Sequence, residues 1–274
     1  MARPVTFLRM HQDYRNLTDE EHEAVEKQTL RTVVQALQEY SREAKQVFDN
    51  TIASSATEVI VLAEDLVQYA LEVAETYPIN RRYAGFIDYK RIRWLPTPYG
   101  LLPQAFLVDA KASTEDYRET LQQSQLPMDA DFVSKGVHVQ MKAGVPPHLE
   151  LPGTIGGPLY AVTSSLFVHF YYEDLSTTAP PYRKLKAIFA LAIPHARFKP
   201  RYNPDKDTSF WRQGKHSSAR QEDPRIRVNF APLMAMAPWR LQKLTYSGNE
   251  YSEPVWRDGP GPEGTLTPFS YLGR

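Results

Sequence analysis

The first quarter of the chain repeats apolar residues at the spacing of amphipathic helices. Thr18 and Glu21 form a capping-box signature, and apolar residues then recur every three or four positions as far as Val47. This pattern predicts one helix of about 30 residues. A second helix is expected over residues 57–76, ending before Pro78, because a residue that precedes proline disfavours the helical conformation.

From residue 83 onward the pattern changes to the alternation that is typical of strands. Residues 83–95 and 104–113 flank a cluster of prolines and a glycine, which predicts a hairpin. Residues 114–126 have a helical pattern, whereas residues 159–172 and 185–193 are apolar runs typical of buried strands. We therefore expect an α/β fold with a mixed β-sheet core flanked by helices, including an N-terminal helical pair.

The whole chain, residues 1–274, is predicted to be a single domain made of four parts. An N-terminal helical part spans residues 16–76, a sheet core spans 83–195, and a basic segment spans 197–230. Residues 247–274 are rich in Pro, Gly and polar residues, which predicts a loosely structured tail that a partner subunit could order.

Composition excludes several classes of protein. No apolar run approaches the roughly 18 residues that a membrane helix needs, and the N-terminus lacks the long apolar core of a secretory signal. We therefore expect an intracellular protein with no membrane partner. The absence of cysteine excludes disulfides and thiolate metal sites, so any metal must be held by oxygen or imidazole.

Charge is unevenly distributed although the net charge is zero. Residues 16–76 contain 13 acidic and 4 basic residues, whereas residues 197–227 contain 9 basic and 4 acidic residues. A zero net charge argues against a protein that coats nucleic acid by bulk charge alone. The split fits one surface that faces phosphates, although a solvated charged face would give the same count.

A candidate catalytic group lies at the end of the second predicted strand. Asp109 and Lys111 are two residues apart, so their side chains project from one face of that strand. If the hairpin is symmetric about Pro98 and Tyr99, Asp88 lies opposite Asp109. Two facing carboxylates repel each other, and a divalent cation relieves this repulsion. Magnesium suits such hard oxygen ligands, and Lys111 could orient or activate the attacking water in phosphoryl transfer.

Alternatives to this assignment remain open from spacing alone. Asp109 and Lys111 could form a simple surface ion pair, and Asp88 with Lys90 makes a second acid-x-lysine triplet. Lys111 is preferred because its triplet ends the more continuous apolar strand, which leaves Lys90 and Arg91 as candidate phosphate contacts. Glu64, on the preceding helix, could add a third carboxylate to the metal site.

Base reading is predicted in the basic segment. Arg225 and Arg227 alternate on one face of a short strand, and arginine forks bind guanine O6 and N7. Lys215 could add a similar contact, and Arg220 is a further DNA-binding candidate. A G/C-rich duplex target follows, although these arginines could instead hold phosphates or surface carboxylates.

The seven histidines form no metal-binding motif. His169 lies in an aromatic strand and is predicted to be a core residue. His195 is expected in a polar loop, where it could either contact phosphate or have no functional contact.

Several stretches resemble SfiI-like type II restriction endonucleases of the PD-(D/E)xK nuclease superfamily. The resemblance runs from about Met10 to the C-terminus and is carried by the strings TYPINRRYAGFIDYKRIRWLP, LVDAKAS, QLPMDA, FVHFYY and RYNPDKDTSF. The family motif places its first acid, second acid and lysine on Asp88, Asp109 and Lys111. One departure is that Ile87, and not proline, precedes Asp88.

This resemblance implies a magnesium-dependent enzyme that cuts double-stranded DNA. It implies a catalytic core at residues 83–195 and a DNA-reading segment at residues 197–230. It also implies a cytoplasmic, bacterial homotetramer that binds two DNA sites of the form GGCCNNNNNGGCC. Two other hypotheses are kept: a DNA-bridging protein that does not cut, and a repair nuclease of the same fold.

Overall fold

The computed structural model describes most of the chain, with gaps between the described segments. The described residues are 13–50, 56–73, 77–78, 89–97, 100–114, 118–154, 157–175, 177, 182–214, 225–247, 250–252 and 256. The α-helices are α1 (Asp19–Glu39), α2 (Ser41–Asn50), α3 (Ala56–Val73), α4 (Lys199–Tyr202) and α5 (Phe230–Met236).

Strands make up most of the remaining regular structure. In chain order they are β1 (Tyr77–Pro78), β2 (Tyr89–Thr97), β3 (Gly100–Ser113), β4 (Arg118–Gln122), β5 (Ala130–Ser134), β6 (Val137–Met141), β7 (His148–Thr154), β8 (Gly157–Leu175), β9 (Tyr182–Ile193), β10 (Trp211–Gln213), β11 (Arg225–Asn229), β12 (Leu241–Ser247) and β13 (Glu250–Ser252). The predicted α/β class is confirmed.

The large sheet is mixed, as predicted. Its described strands follow the order β1-β2-β3-β8-β9-β12-β13, and β7 pairs with the first part of β8. Strands β3 and β8 are parallel, whereas the other described pairs in this sheet are antiparallel. Buried apolar side chains of β3, β8 and β9 pack with those of α1, α2 and α3 in one continuous core.

The hairpin of β2 and β3 has the predicted register. Tyr89 lies opposite Val108 at one end of the pairing, and Thr97 lies opposite Gly100 at the turn. Successive residues of β3 therefore project from alternate faces. Phe106 and Val108 face the helices, whereas Leu107 contacts Val145 on the other side of the sheet.

The N-terminal capping box is confirmed, but the single long helix is wrong. The Thr18 hydroxyl accepts a bond from the Glu21 amide at 3.2 Å, and the Glu21 carboxylate accepts one from the Thr18 amide at 2.8 Å. Helix α1 ends at Glu39, and Tyr40 leaves the helical conformation before α2 begins. The break lets buried Phe48 of α2 pack near Phe170, with ring centroids 6.2 Å apart.

The helix predicted over residues 114–126 is also wrong. The described part of this segment forms β4 and a short 3-10 helix, Gln123–Gln125. Strand β4 pairs with β11, and Leu121 and Ile226, opposite each other, are both fully buried. Pairing with a strand more than 100 residues away therefore overrides the local helical pattern.

The described part of residues 247–274, the segment predicted to be a loosely structured tail, includes a paired strand and a buried side chain. Residues Glu250–Ser252 pair with β12, and Trp256 is buried. Residues 253–255 and 257–274 lie outside the described residues. None of the described helices is long and apolar enough to cross a membrane.

Candidate active site

Asp109 and Lys111 form a direct ion pair on one face of β3. The Lys111 Nζ atom lies 2.5 Å from Asp109 Oδ2. The Asp109 side chain is 1% exposed, whereas the Lys111 side chain is 30% exposed. The pair is therefore a carboxylate held beneath the surface with a cation beside it that solvent can still reach.

Gln125 holds the other oxygen of the same carboxylate. Its Nε2 donates to Asp109 Oδ1 at 3.0 Å, and its Oε1 accepts from the Gln122 amide at 2.9 Å. Gln125 is 1% exposed, and its bond to Asp109 is buried and thus shielded from water. Gln125 was not predicted from the sequence, because the pattern favours a helix over this segment. The strand and the 3-10 helix that bring Gln125 to Asp109 were therefore not foreseen.

A close backbone approach keeps the 3-10 helix of Gln125 in place. A Cβ atom on Gly144 would lie 2.4 Å from the Ser124 Cα and 2.6 Å from the Gln123 carbonyl oxygen. The Gly144 amide donates to the Leu126 carbonyl at 3.1 Å. A glycine is therefore required where the segment after β6 crosses this helix.

The metal site predicted at Asp88, Asp109 and Glu64 is described only in part. Asp88 lies outside the described residues, one position beyond the pairing of Tyr89 with Val108. Glu64 is half-buried on α3, and α3 packs on the face of β3 opposite that of Asp109. Within the described segments, no three His, Asp or Glu side chains converge as a metal-binding group.

The chemistry of Asp109 fits one ligand of a hard divalent cation. Its carboxylate is buried, one oxygen already faces a positive charge, and the other is oriented by an amide. Carboxylate oxygens are the ligands that magnesium prefers in proteins. A complete site needs a further acid, and the predicted position for it remains Asp88.

The structure describes the side chain of one of the two candidate phosphate contacts on β2. The backbone of Lys90 is paired with Leu107, and Asp109 lies two residues after Leu107 on the same strand. The Lys90 side chain lies outside the described part of the molecule. Arg91 is paired with Phe106 and is half-buried on the face that the helices cover. The structure therefore does not bring Arg91 to the face of Asp109.

The predicted base-reading arginines belong to a separate three-stranded sheet. This sheet, which we call the basic sheet, has the order β10-β11-β4. Ile226 and Val228 point into the core, which leaves Arg225 and Arg227 together on the opposite, half-buried face of β11. Lys215 and Arg220 lie outside the described residues.

Neighbouring strands extend the polar face of the basic sheet. Exposed Arg212 of β10 lies opposite Arg227, and half-buried Gln122 of β4 lies opposite Arg225. Arginines directly across a strand pair repel each other, and a polyanion placed over them relieves this repulsion. The Gly214 amide donates to the Arg225 carbonyl at 2.8 Å, which fixes β10 against β11.

A short stretch of chain and its hydrogen bonds link the basic sheet to Asp109. Gln122 ends β4, and the 3-10 helix that follows carries Gln125 to the Asp109 carboxylate. The strand register places Gln122 opposite Arg225. The surface that carries the arginines and the ion pair on β3 are therefore joined through three residues of chain and two hydrogen bonds.

The histidines have structural roles, one as predicted and one not. His169 is buried, with its ring near Phe189 and Phe230, which confirms it as a core residue. His195 was expected in a polar loop but is 3% exposed. Its Nε2 lies 2.8 Å from the Pro147 carbonyl, and its Nδ1 accepts from the Arg197 amide at 3.1 Å. These bonds occupy both ring nitrogens, so His195 is not a phosphate contact.

Comparisons with known proteins give one consistent result. The model of the family described as type II restriction enzyme SfiI matches residues 20–244. The type II restriction enzyme SfiI of Streptomyces fimbriatus is 65% identical over 252 residues, which cover 91% of this chain and 94% of the relative.

Two solved structures extend the comparison to the fold. The crystal structure of tetrameric restriction endonuclease SfiI bound to cognate DNA has a TM-score of 0.84 and 64% identity, covering 91% of this chain and 94% of that one. The restriction endonuclease BglI bound to its DNA recognition sequence has a TM-score of 0.65 at 15% identity, covering 82% of this chain and 90% of that one. The latter similarity concerns the fold alone.

Proposed function

Because the chain belongs to the SfiI family of type II restriction enzymes, and is thus a site-specific endonuclease, we propose that it makes magnesium-dependent double-strand cuts in DNA at an interrupted G/C-rich palindrome, GGCCNNNNNGGCC. The observation that carries the proposal is the ion pair of Asp109 and Lys111 on β3. A half-exposed lysine beside a buried carboxylate offers both an anion for a metal and a cation for the reacting phosphate.

In this proposal the residues of β3 divide the catalytic work. Asp109, together with Asp88, would hold the magnesium ion, which lowers the pKa of water and neutralises charge on phosphate when bound. The Lys111 ammonium would orient the attacking water by hydrogen bonding and stabilise negative charge that develops on the phosphate oxygens. Its partial exposure leaves it accessible to a DNA strand lying across the site.

Recognition is assigned to the basic sheet. Arg225 and Arg227 are two residues apart on one face, and each guanidinium can bond O6 and N7 of a guanine in the major groove. Two neighbouring arginines match the adjacent guanines of a GGCC half-site. Lys215 and Arg220, in the segment between β10 and β11, are proposed as further DNA contacts.

The proposed assembly is a homotetramer that binds two copies of the site. It is supported by 65% identity to SfiI, whose structure with cognate DNA is tetrameric. In such an assembly, occupation of two sites precedes efficient cutting. A plasmid with two sites should then be cut faster than a plasmid with one.

The test is cleavage of three otherwise identical plasmids with zero, one or two GGCCNNNNNGGCC sites, with and without magnesium. We expect discrete fragments only from plasmids with a site and only with magnesium, with the two-site plasmid cut fastest. Fragment ends are then mapped by sequencing to locate the cut within the spacer.

Other outcomes identify the rival functions. Specific binding of the site without any cutting would contradict the proposal and indicate a DNA-bridging protein. Cutting that follows DNA structure and ignores the site would indicate a repair nuclease. Equal rates on one-site and two-site plasmids would contradict the two-site tetramer while leaving the chemistry in place.

A further inference from the structure

We propose that Gln125 is a positioning residue for cleavage, which orients the Asp109 carboxylate and ties it to the basic sheet. The inference rests on the proposed function, because it concerns the same site. Gln125 is not part of the acid and lysine motif, and it reaches the site from the 3-10 helix that follows β4 of the basic sheet.

The geometry gives the two ends of the Gln125 amide different tasks. At the nitrogen end, Nε2 donates to Asp109 Oδ1 at 3.0 Å. This bond fixes the carboxylate so that Oδ2 faces Lys111 Nζ, 2.5 Å away. At the oxygen end, Oε1 accepts from the backbone amide of Gln122 at 2.9 Å. This bond fixes the Gln125 side chain relative to the end of β4.

The amide is suited to this position for a chemical reason. Glutamine donates and accepts at the same time, and it carries no charge. A carboxylate at residue 125 could accept from Gln122 but could not donate to Asp109, and it would repel it. An aliphatic side chain would leave a buried carboxylate oxygen without its donor. Groups that orient a metal ligand in this way typically affect metal affinity or activity by about 10- to 100-fold.

The strand register extends the argument to DNA recognition. The residue that anchors the Gln125 amide, Gln122, is paired with Arg225 on the basic sheet. A displacement of β11 on binding DNA would therefore reach Asp109 through Gln122 and Gln125. Gln125 therefore connects these two described parts of the proposed site by hydrogen bonds.

The experiment measures single-turnover cleavage of a duplex containing GGCCNNNNNGGCC across a magnesium titration. The variants are Gln125→Glu and Gln125→Leu, with Gln123→Leu as matched control and Asp109→Asn as reference. Gln123 lies on the same 3-10 helix but is exposed, and its Nε2 donates to the Lys142 carbonyl at 3.3 Å. Binding of the duplex without divalent metal and thermal unfolding are measured for each protein.

We expect both Gln125 variants to cleave about 10- to 100-fold more slowly at moderate magnesium, with the magnesium midpoint shifted upward. Duplex binding should stay within about twofold of wild type, and Gln123→Leu should behave as wild type. A purely structural role would lower the unfolding temperature and duplex binding together and leave the magnesium midpoint unchanged, which would overturn the proposal.

Wild-type cleavage by Gln125→Glu at every magnesium concentration would also overturn it. Asp109→Asn separates this failure from a failure of the proposed function. If Asp109→Asn cuts normally, the site itself is misassigned. If Asp109→Asn is inactive while both Gln125 variants are fully active, only the role of Gln125 is lost.

Discussion

At the scale of single residues, Asp109 and Lys111 differ in solvent exposure, and this difference suits them to different roles. The carboxylate is buried, with one oxygen hydrogen-bonded to Gln125 and the other ion-paired with Lys111, whereas the amine is partly exposed. Burial makes the electrostatic interactions of Asp109 stronger than they would be in water. Exposure of Lys111 leaves it able to meet a phosphate.

Arg227 is predicted to read a base, and Arg227→Lys tests this. Lysine keeps the charge but loses the two-pronged fork, so discrimination against a substituted G·C pair should fall by about 1–3 kcal/mol at one position. The measurement is competitive binding of duplexes that carry each single substitution in the half-site. Arg201→Lys is the matched control, since Arg201 is bonded to Glu23 at 2.7 Å. Uniform weakening across all duplexes would show that Arg227 only holds phosphate.

At the scale of elements, a strand and a 3-10 helix connect the proposed recognition surface with the proposed catalytic site. Strand β4 completes the basic sheet, and the helix that follows it places Gln125 on Asp109. Two glycines allow close backbone contacts in this arrangement. Gly144 lies against the 3-10 helix, and Gly214 lies against β11. Each lies where a side chain would collide with backbone.

Substitution of these two glycines should separate cleavage from binding. In Gly144→Ala the new Cβ would meet Ser124 Cα at 2.4 Å, so the helix must move and Gln125 with it. We expect roughly 10- to 100-fold slower cleavage with little loss of duplex binding. In Gly214→Ala the new Cβ would meet the Arg225 carbonyl at 2.8 Å, so binding should weaken first. The measurements are single-turnover cleavage rates and duplex affinities for both variants. Equal losses of rate and affinity in both variants would show that the two glycines do not support separate steps.

Local pattern predicted the elements whose partners are near in sequence. The β2–β3 hairpin and its register followed from alternation and a central turn, and the start of α1 followed from a capping box whose two bonds are both present. The Asp109 and Lys111 pair followed from the same alternation.

Elements with distant partners could not be predicted in this way. The segment of β4 looks helical, but pairing with β11 decides its structure. The break at Tyr40 depends on where α2 meets the sheet, and Gln125 reaches Asp109 only once β4 is in place. His195 has a loop sequence, yet it is buried by contacts with α1.

At the scale of the whole molecule, α1 connects segments that are far apart in sequence. The Glu26 carboxylate accepts from the His195 amide at 2.7 Å and pairs with fully buried Arg240 at 2.7 Å. The ring of His22, also on α1, lies 4.4 Å from the ring of His195. Removal of one partner from a buried pair such as Glu26 and Arg240 typically costs about 3–5 kcal/mol, so this junction is a main support of the fold.

The same junction should make the protein sensitive to acid. Burial lowers the pKa of His22 to about 2 and the pKa of His195 to about 4. Both imidazoles are therefore neutral in the folded protein, while in the unfolded chain they take up protons below about pH 6.5. Stability is fully present above that pH. It should fall by about 1.4 kcal/mol per pH unit for each histidine as pH drops from 6.5 toward 4.

Urea unfolding of wild type and His22→Phe between pH 7.5 and 4.5 measures this effect. Phenylalanine keeps an aromatic ring at residue 22, where the ring lies 5.2 Å from that of Phe198, but it cannot take up a proton. The slope of unfolding free energy against pH should decrease by about 1.4 kcal/mol per unit in the variant. An unchanged slope would show that His22 does not link stability to protonation.

The carboxylate of Asp109 is proposed to be essential for DNA cleavage by this restriction enzyme. The most direct test is single-turnover cleavage of a GGCCNNNNNGGCC duplex in magnesium by Asp109→Asn, with Asp131→Asn as the control. Asp131 is a partly buried carboxylate bonded to His138 and Gln140, away from Lys111. We predict that Asp109→Asn binds the duplex but cuts it at least about 1000-fold more slowly, since loss of the proposed metal ligand would remove several kcal/mol of transition-state stabilisation. Cutting by Asp109→Asn within tenfold of wild type would show that Asp109 is not a catalytic residue.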